Sequence, residues 1–311
     1  MLSRDLAAEI KKLAGDVGYS SCGIAGAEPF VEFSRAVNRM IKEYPETANL
    51  YRPLLERSDP RRRAPWVRSI VVCVRRYGKY RLPPGSEGLI GRNYLADRRY
   101  ADCPDHAVPK LMKKGLIRLG LRVKPGGVPE RWAAVRAGVG RFGRNCFVYS
   151  EHGSWINIES WRVDADLPAD KPSEGSLCPE NCTRCMDACP TKALCAPFTM
   201  RMNRCIAYLT FHAPEPIDPA LEAQMGRWIY GCDICQQVCP MNKGKWEGIE
   251  PMPWQDEIAH MFAAESLASM DQPTYERLIH PRFWYIPVER LDRWHTNAAR
   301  SLKRGFENES A

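Results

Sequence analysis

Two groups of cysteines carry the chemistry most plainly written in this chain of 311 residues. The stretch 178-CPENCTRCMDACP-190 holds Cys178, Cys182, Cys185 and Cys189, with Pro190 behind the last. A second group comprises Cys205 and then Cys232, Cys235 and Cys239 within 232-CDICQQVCP-240. Thiolate sulfur suits zinc and iron alike. A structural zinc site, however, uses four ligands once and closes. Eight cysteines in two similar groups, both ending in C-x2-C-x3-C-P, ask for two adjacent clusters instead.

That ending follows the grammar of two-cluster ferredoxins. Three thiolates of one run hold one iron-sulfur cluster, and the fourth, just before proline, ligates the other. The spacing predicts one 4Fe-4S cluster on Cys178, Cys182, Cys185 and Cys239, and a second on Cys205, Cys232, Cys235 and Cys189. Two departures stand out. The spacing Cys178-x3-Cys182 is one residue longer than usual, and 26 residues separate Cys205 from Cys232, so a segment is inserted into the unit. Cys195 has no partner nearby, and Cys22, Cys73, Cys103 and Cys146 read mostly as core thiols.

The elements that must position these thiols follow from periodicity. Leu6, Ile10, Leu13 and Val17 recur at helical spacing, so the start of the chain reads as an amphipathic helix rather than a secretory signal. A strand is expected over 22-CGIAGA-27 and a helix over 29–43. The run 69-SIVVCV-74 is a buried strand by its β-branched content. A helix is expected from His106 to Leu119, and another over 129-PERWAAVRAG-138, with Pro at its start and Gly at its end. Strands follow over 145–150 and 154–163. Alternating helices and strands predict an α/β or α+β layered domain over residues 1–165. The Pro/Ser/Asp-rich segment 166-DLPADKPSEGS-176 reads as a linker to the cysteine-rich region. One helix is expected near the end, from about Val288 to Arg304. The string 138-GVGRFG-143 fits GxGxxG, but it follows a helix and precedes a strand, so it reads as a tight turn and not a dinucleotide site.

Composition bounds the function. At 44% hydrophobic residues the chain is globular. No run of about 18 apolar residues predicts a membrane span. Thirteen cysteines without a signal sequence point to a cytoplasmic protein with metal or redox chemistry. The net charge is +8, and basic residues cluster in 61-RRRAPWVR-68 and 75-RRYGKYR-81. Such runs are usually solvated faces. Their functional reading is an electropositive rim for nucleic acid or a phosphate-bearing cofactor. A ferredoxin-like module passes electrons, and the long first half is the natural place for what receives them.

Several stretches, taken in order, resemble the epoxyqueuosine reductase family and, more distantly, reductive dehalogenases: 136-RAGVGRFGRNCFV-148, 153-GSWINIESWRVDADLP-168, 182-CTRCMDACPTKAL-194, 204-RCIAYLT-210 and 229-IYGCDICQQVCPMNK-243. The resemblance implies a nitroreductase-like, cobalamin-binding α+β domain over 1–165. A ferredoxin-like domain with two 4Fe-4S clusters over 166–250 and a helical extension over 251–311 would follow. It implies cobalamin bound base-off and reduced by electrons entering through the clusters. A low-potential donor such as ferredoxin or flavodoxin would supply them. Corrinoid contacts would then fall at Arg144, Asn145, Val148, Ile158, Ala207, His212, Asp233 and Ile234. The family carries an acid, Asp, about 13 residues before the R-A-G-x-G turn, placed to protonate the leaving oxygen. Counting back from Ala137 gives Lys124. The donor would then be Lys124 itself, or Tyr94, Tyr100 or His106, since reductive dehalogenases use a tyrosine with a basic neighbour. The missing carboxylate favours a reductase of this superfamily acting on a small molecule or another substrate. An epoxyqueuosine reductase acting on tRNA and an electron-transfer or corrinoid-reducing partner protein are the alternatives.

Overall fold

The computed structural model describes residues 3–97, 99–213, 216–251 and 259–309. It is a mixed helix-and-sheet protein. The first part comprises α1 (Ser3–Asp16), β1 (Ser21–Gly26), α2 (Val31–Glu43), α3 (Ala48–Tyr51), β2 (Ser69–Arg76), α4 (Arg92–Leu95), α5 (Val108–Arg118), β3 (Val123–Pro125), α6 (Glu130–Arg136), β4 (Arg141–Phe142), β5 (Val148–Tyr149) and β6 (Ile156–Val163). Four of these strands form one antiparallel sheet in the order β1-β2-β6-β3.

The centre of that sheet is the β-branched run of β2, buried along nearly its whole length. Successive side chains point to opposite faces. Val71 and Cys73 join Ile10, Ala14, Met112, Leu116 and Trp161 in a core beneath α1 and α5. Ile70 and Val72 join Val37, Met40, Ala133, Ala134 and Val148 in a core beneath α2 and α6. Because both faces are covered, β2 reads as a continuous apolar run rather than an alternating one.

After the linker come α7 (Arg184–Asp187), β7 (Leu194–Ala196), β8 (Thr199–Met200), α8 (Ile206–His212), α9 (Pro219–Ala223), α10 (Ile234–Gln237), α11 (Ala264–Ala268), α12 (Gln272–Thr274) and α13 (Leu291–Glu309). Asp218 caps α9 by accepting from the Leu221 amide at 2.9 Å, with Pro219 at the first helical position. The expected single C-terminal helix is therefore too few: helical turns also run through 264–279. These turns are too short to show a 3.6-residue period, which is why the sequence pattern missed them. The start expected for the C-terminal extension falls partly on 252–258, outside the described residues.

A third, aromatic core joins the two halves. Tyr77, Tyr80 and Trp155 pack with Phe211, Tyr230, Phe262, Phe283 and Trp294. Helix α13 adds polar pins. Buried Arg293 donates to the carbonyls of Leu209, at 3.1 Å, and Ala213. These carbonyls lie at the C-terminal end of α8, where helix geometry leaves them unpaired and the dipole favours a cation. Asn297 donates to the carbonyls of Thr210 and Ile229, both at 3.0 Å. It thereby ties the Cys205 segment to the Cys232 segment across the inserted stretch.

Candidate functional site

The eight thiols of the two motifs fall into two cavities, and the division is crosswise. Cys178, Cys182, Cys185 and Cys239 line one small cavity with Arg144, Asn145, Tyr149 and Pro240. Cys189, Cys205, Cys232 and Cys235 line the wall of a much larger one, of about 650 Å³. Each set combines three thiols from one motif with the pre-proline thiol of the other. Short helical turns produce this crossing: α7 carries Cys185, α10 carries Cys235, and Cys189 and Cys239 follow them at the turns into proline. Burial pushes the Cys232 and Cys235 thiols well above their ordinary value, Cys235 further through Cys205 and Asp233. Thiolates so placed need the positive charge of a bound metal to persist.

The glycine turn docks the first half on both thiol sets. Gly138 has φ +74°, and a Cβ there would lie 2.5 Å from the Lys171 carbonyl oxygen. The chain then runs through β4 to Arg144 and Asn145. The Arg144 backbone amide donates to the Cys178 sulfur at 3.3 Å, and its guanidinium donates to the Cys182 carbonyl at 2.8 Å. Asn145 donates to the Tyr149 hydroxyl at 2.8 Å and to the Cys235 carbonyl at 3.2 Å. A buried network of Ser154, Gln236 and Asn242 makes a third junction. Ser154 donates to Gln236 Oε1 at 2.9 Å, and Asn242 donates to Ser154 Oγ at 2.8 Å.

The large cavity has a mixed lining: Val148, Ile156, Ile158, Ile206, Ala207 and Ile234 supply apolar surface, and Asn93, Asn145, Asn157, Ser154 and Gln236 supply polar groups. Of the residues the resemblance pointed to, Asn145, Val148, Ile158, Ala207, Asp233 and Ile234 line it. Arg144 lies instead at the smaller cavity. His212 sits at the end of α8 against Tyr208, Phe211 and Tyr285. Asp233 is buried and accepts from the Arg92 amide at 2.7 Å. Desolvation raises its pKa to about 6, against the lowering effect of Arg92.

The four candidate proton donors part company. Tyr94 lines the cavity, its ring edge-on to Phe211, Tyr230 and Tyr285. Burial first, then Tyr285, Cys205 and Asp233, pushes its phenol well above the ordinary value. The other three are not among the residues lining this cavity. Tyr100 donates to Asp102 at 2.7 Å beneath the Arg282 guanidinium. His106 pairs with Lys110 at 2.9 Å. Its neighbour Asp105 is consumed by buried Arg75 and by Tyr80. Lys124 pairs with Arg162 on the exposed sheet edge, and its ammonium donates to the Arg63 carbonyl at 3.1 Å.

Several cavity residues went unnoticed in the sequence. Asn157 and Asn93 bond each other at 2.9 Å, and Asn157 accepts from buried Arg75 at 2.8 Å. Tyr285 lines the cavity beside Arg99, which bonds its hydroxyl at 3.4 Å and grips Asp97 at 2.8 and 3.0 Å. Glu130 and Arg131, the first residues of α6, line it too. The aromatic string 283-FWY-285 was a signal for Tyr285, but nothing local linked it to Arg99, 186 residues earlier.

Comparison with known proteins agrees with this geometry. A 4Fe-4S double cluster binding domain matches residues 178–242, the stretch that supplies both thiol sets. An epoxyqueuosine reductase from Cyclobacterium marinum is 32% identical over 248 residues, covering 75% of this chain and 78% of that one. One from Gloeobacter violaceus is 30% identical and covers 87% of this chain and 88% of that one. The crystal structure of an epoxyqueuosine reductase with an epoxyqueuosine-modified tRNA stem loop superposes with a TM-score of 0.78 at 25% identity, over 96% of this chain and 81% of that one. A catabolic reductive dehalogenase shares the fold at a TM-score of 0.50 and 16% identity, over 97% of this chain and 38% of that one. An iron-sulfur domain with crossed thiol sets, joined to a layered domain and matched along most of its length by reductases of one kind, makes this chain an oxidoreductase of the epoxyqueuosine reductase family.

Proposed function

We propose that this chain reduces epoxyqueuosine in tRNA, using two 4Fe-4S clusters and a cobalamin held base-off in the 650 Å³ cavity. The observation that carries the reading is the position of Cys189, Cys205, Cys232 and Cys235 on the wall of that cavity, with the other four thiols around an adjoining one. Electrons entering at the Cys178 set and leaving through the Cys205 set would be delivered to the cavity. A cytoplasmic ferredoxin or flavodoxin is the donor class that suits low-potential clusters. The finer architecture goes with this reading: a nitroreductase-like corrinoid-binding unit over 1–165, a ferredoxin-like unit over 166–250 and a helical extension over 251–311.

The cavity suits a corrinoid by the chemistry of its walls. A corrinoid offers a flat apolar macrocycle fringed with amides. Val148, Ile156, Ile158, Ile206, Ala207 and Ile234 match the first, and Asn93, Asn145, Asn157, Ser154 and Gln236 match the second. Bound there, a reduced cobalamin supplies a strongly reducing, nucleophilic metal centre. Removing an epoxide oxygen as water takes two electrons and two protons. Tyr94 is the candidate donor within the cavity, and its raised phenol stays protonated at neutral pH. Asp97 orients Arg99, and Arg99 bonds Tyr285, so the neighbouring phenol is fixed as well.

A second reading, a different substrate within the same superfamily, is favoured by one observation. At the position where the resemblance puts the family's acid, this chain has Lys124, held on the exposed edge by the Arg63 carbonyl. One anaerobic experiment separates the readings. The protein is loaded with hydroxocobalamin and desalted, iron and corrinoid are measured, and turnover of epoxyqueuosine-containing tRNA is followed with a chemical reductant. About eight irons, stoichiometric corrinoid and queuosine formation are expected. Loading without turnover favours the second reading. Eight irons without corrinoid leave an electron-transfer partner and overturn the proposal.

A further inference from the structure

Among the described residues, Trp284 is one of the few large apolar side chains exposed to solvent, at 39%. Singly exposed apolar residues need no explanation, but this one is not isolated. Its ring stacks on Tyr285 with centroids 4.2 Å apart and planes 22° from parallel. Tyr285 stacks in turn on Phe211 at 5.0 Å and 16°. Three nearly parallel rings thus run from solvent into the aromatic core, and the middle one, Tyr285, lines the cavity. The Arg99 guanidinium lies 4.3 Å from the Trp284 ring centre and 5.4 Å from that of Tyr285. Asp97 holds that guanidinium through Nε at 2.8 and 3.0 Å, so its plane is set before any ligand arrives.

We propose that Trp284 and Arg99 form a stacking ledge beside the cavity that takes a nucleobase flanking the reacting nucleotide of an RNA loop. A half-exposed indole continuous with a stack of rings offers a flat π-face without sequence demands, which is how unstacked bases are held. A guanidinium fixed beside it adds a second planar, cationic surface of the kind bases and their phosphates meet. The net charge of +8 favours a polyanion over a neutral small molecule. The ledge deepens the tRNA reading above and rests on it for the class of substrate. The plain alternative is a rivet: Trp284 would merely shield the Arg99–Tyr285 contact.

The test uses the iron- and corrinoid-loaded protein and a fluorescein-labelled anticodon stem-loop RNA, with affinity read by anisotropy. Stacking of one base predicts that Trp284→Ala weakens binding by about 5- to 150-fold. Trp284→Phe keeps a flat ring and retains most of the affinity. An RNA with an abasic site at the flanking position binds the wild type as weakly as intact RNA binds Trp284→Ala, and combining the two changes causes no further loss. The ledge is overturned if the wild type does not bind the RNA, if Trp284→Ala binds as the wild type does, or if the two losses multiply. A rivet would lower the melting temperature in Trp284→Ala while leaving the abasic comparison without effect. Failure of the ledge and of the proposed reaction are separable. Trp284-dependent RNA binding without epoxyqueuosine turnover sinks only the reaction, and turnover that ignores Trp284 sinks only the ledge.

Discussion

Asn145 donates its side-chain amide to the Cys235 carbonyl across 3.2 Å, joining the glycine turn of the first half to the thiol loop of the second. The same amide reaches the Tyr149 hydroxyl, and the residue lines both thiol cavities. Asn145→Leu keeps the bulk and removes the donor. An orphaned buried partner costs roughly 1–3 kcal/mol, so the melting temperature should fall. The EPR signals of the reduced protein should change as the two cavities lose their shared pin. Wild-type melting and unchanged spectra in this variant would mean that Asn145 is only filling space.

The crossed thiol sets make a prediction that sequence proximity would get backwards. Cys189→Ser should deplete the cluster at the large cavity and spare the one whose ligands surround it in sequence. Cys239→Ser should do the reverse. Each variant should lose about four of about eight irons, measured with acid-labile sulfide, and EPR of the reduced protein identifies the survivor. Loss of the sequence-local cluster in both variants would replace crossed ligation with local ligation.

Asn297 tests the C-terminal helix as part of the cluster-holding frame rather than a tail. Its amide serves Thr210 and Ile229, which flank the segment inserted between Cys205 and Cys232. Asn297→Leu leaves two carbonyls short of a donor in a buried place. The expected loss is roughly 2–6 kcal/mol, read by thermal unfolding. Release of iron from the Cys205 set should precede global melting. Simultaneous loss of both clusters at one temperature would make the frame a single cooperative unit instead.

How far these features could be read beforehand depended on their range. The grouping of thiols was legible because C-x2-C-x3-C-P is a local pattern with a steric meaning, and the central strand was legible because Val71, Val72 and Val74 leave few other conformations. Lys124 was reached by counting, and counting says nothing about direction: pairing with Arg162 holds it on the sheet edge. Tyr285, Arg99 and Asn297 act through partners 68 to 186 residues away. No periodicity encodes such contacts. His106 shows the same limit: a loose match to a motif does not reveal that Arg75 occupies the adjacent Asp105.

The proton donor can be resolved by two substitutions and a pH profile. Tyr94 lines the cavity, whereas the Lys124 ammonium rests on the Arg63 carbonyl. Tyr94→Phe preserves the ring contacts with Phe211, Tyr230 and Tyr285 and removes only the hydroxyl. If that hydroxyl delivers the proton, kcat should fall by about 10²- to 10⁴-fold with little change in KM. Lys124→Ala should leave kcat within about threefold, the range expected of a surface charge. The pH profile adds an independent check. Burial raises the phenol above its ordinary value near 10, and a donor works only while protonated. Deprotonation of Tyr94 therefore cannot lower kcat until the pH exceeds about 10, and the rate should stay level from neutrality to mildly alkaline conditions. A large loss in Lys124→Ala, with Tyr94→Phe unaffected, would require β3 to leave the sheet edge and carry Lys124 into the cavity during turnover, and would transfer the donor's role to Lys124.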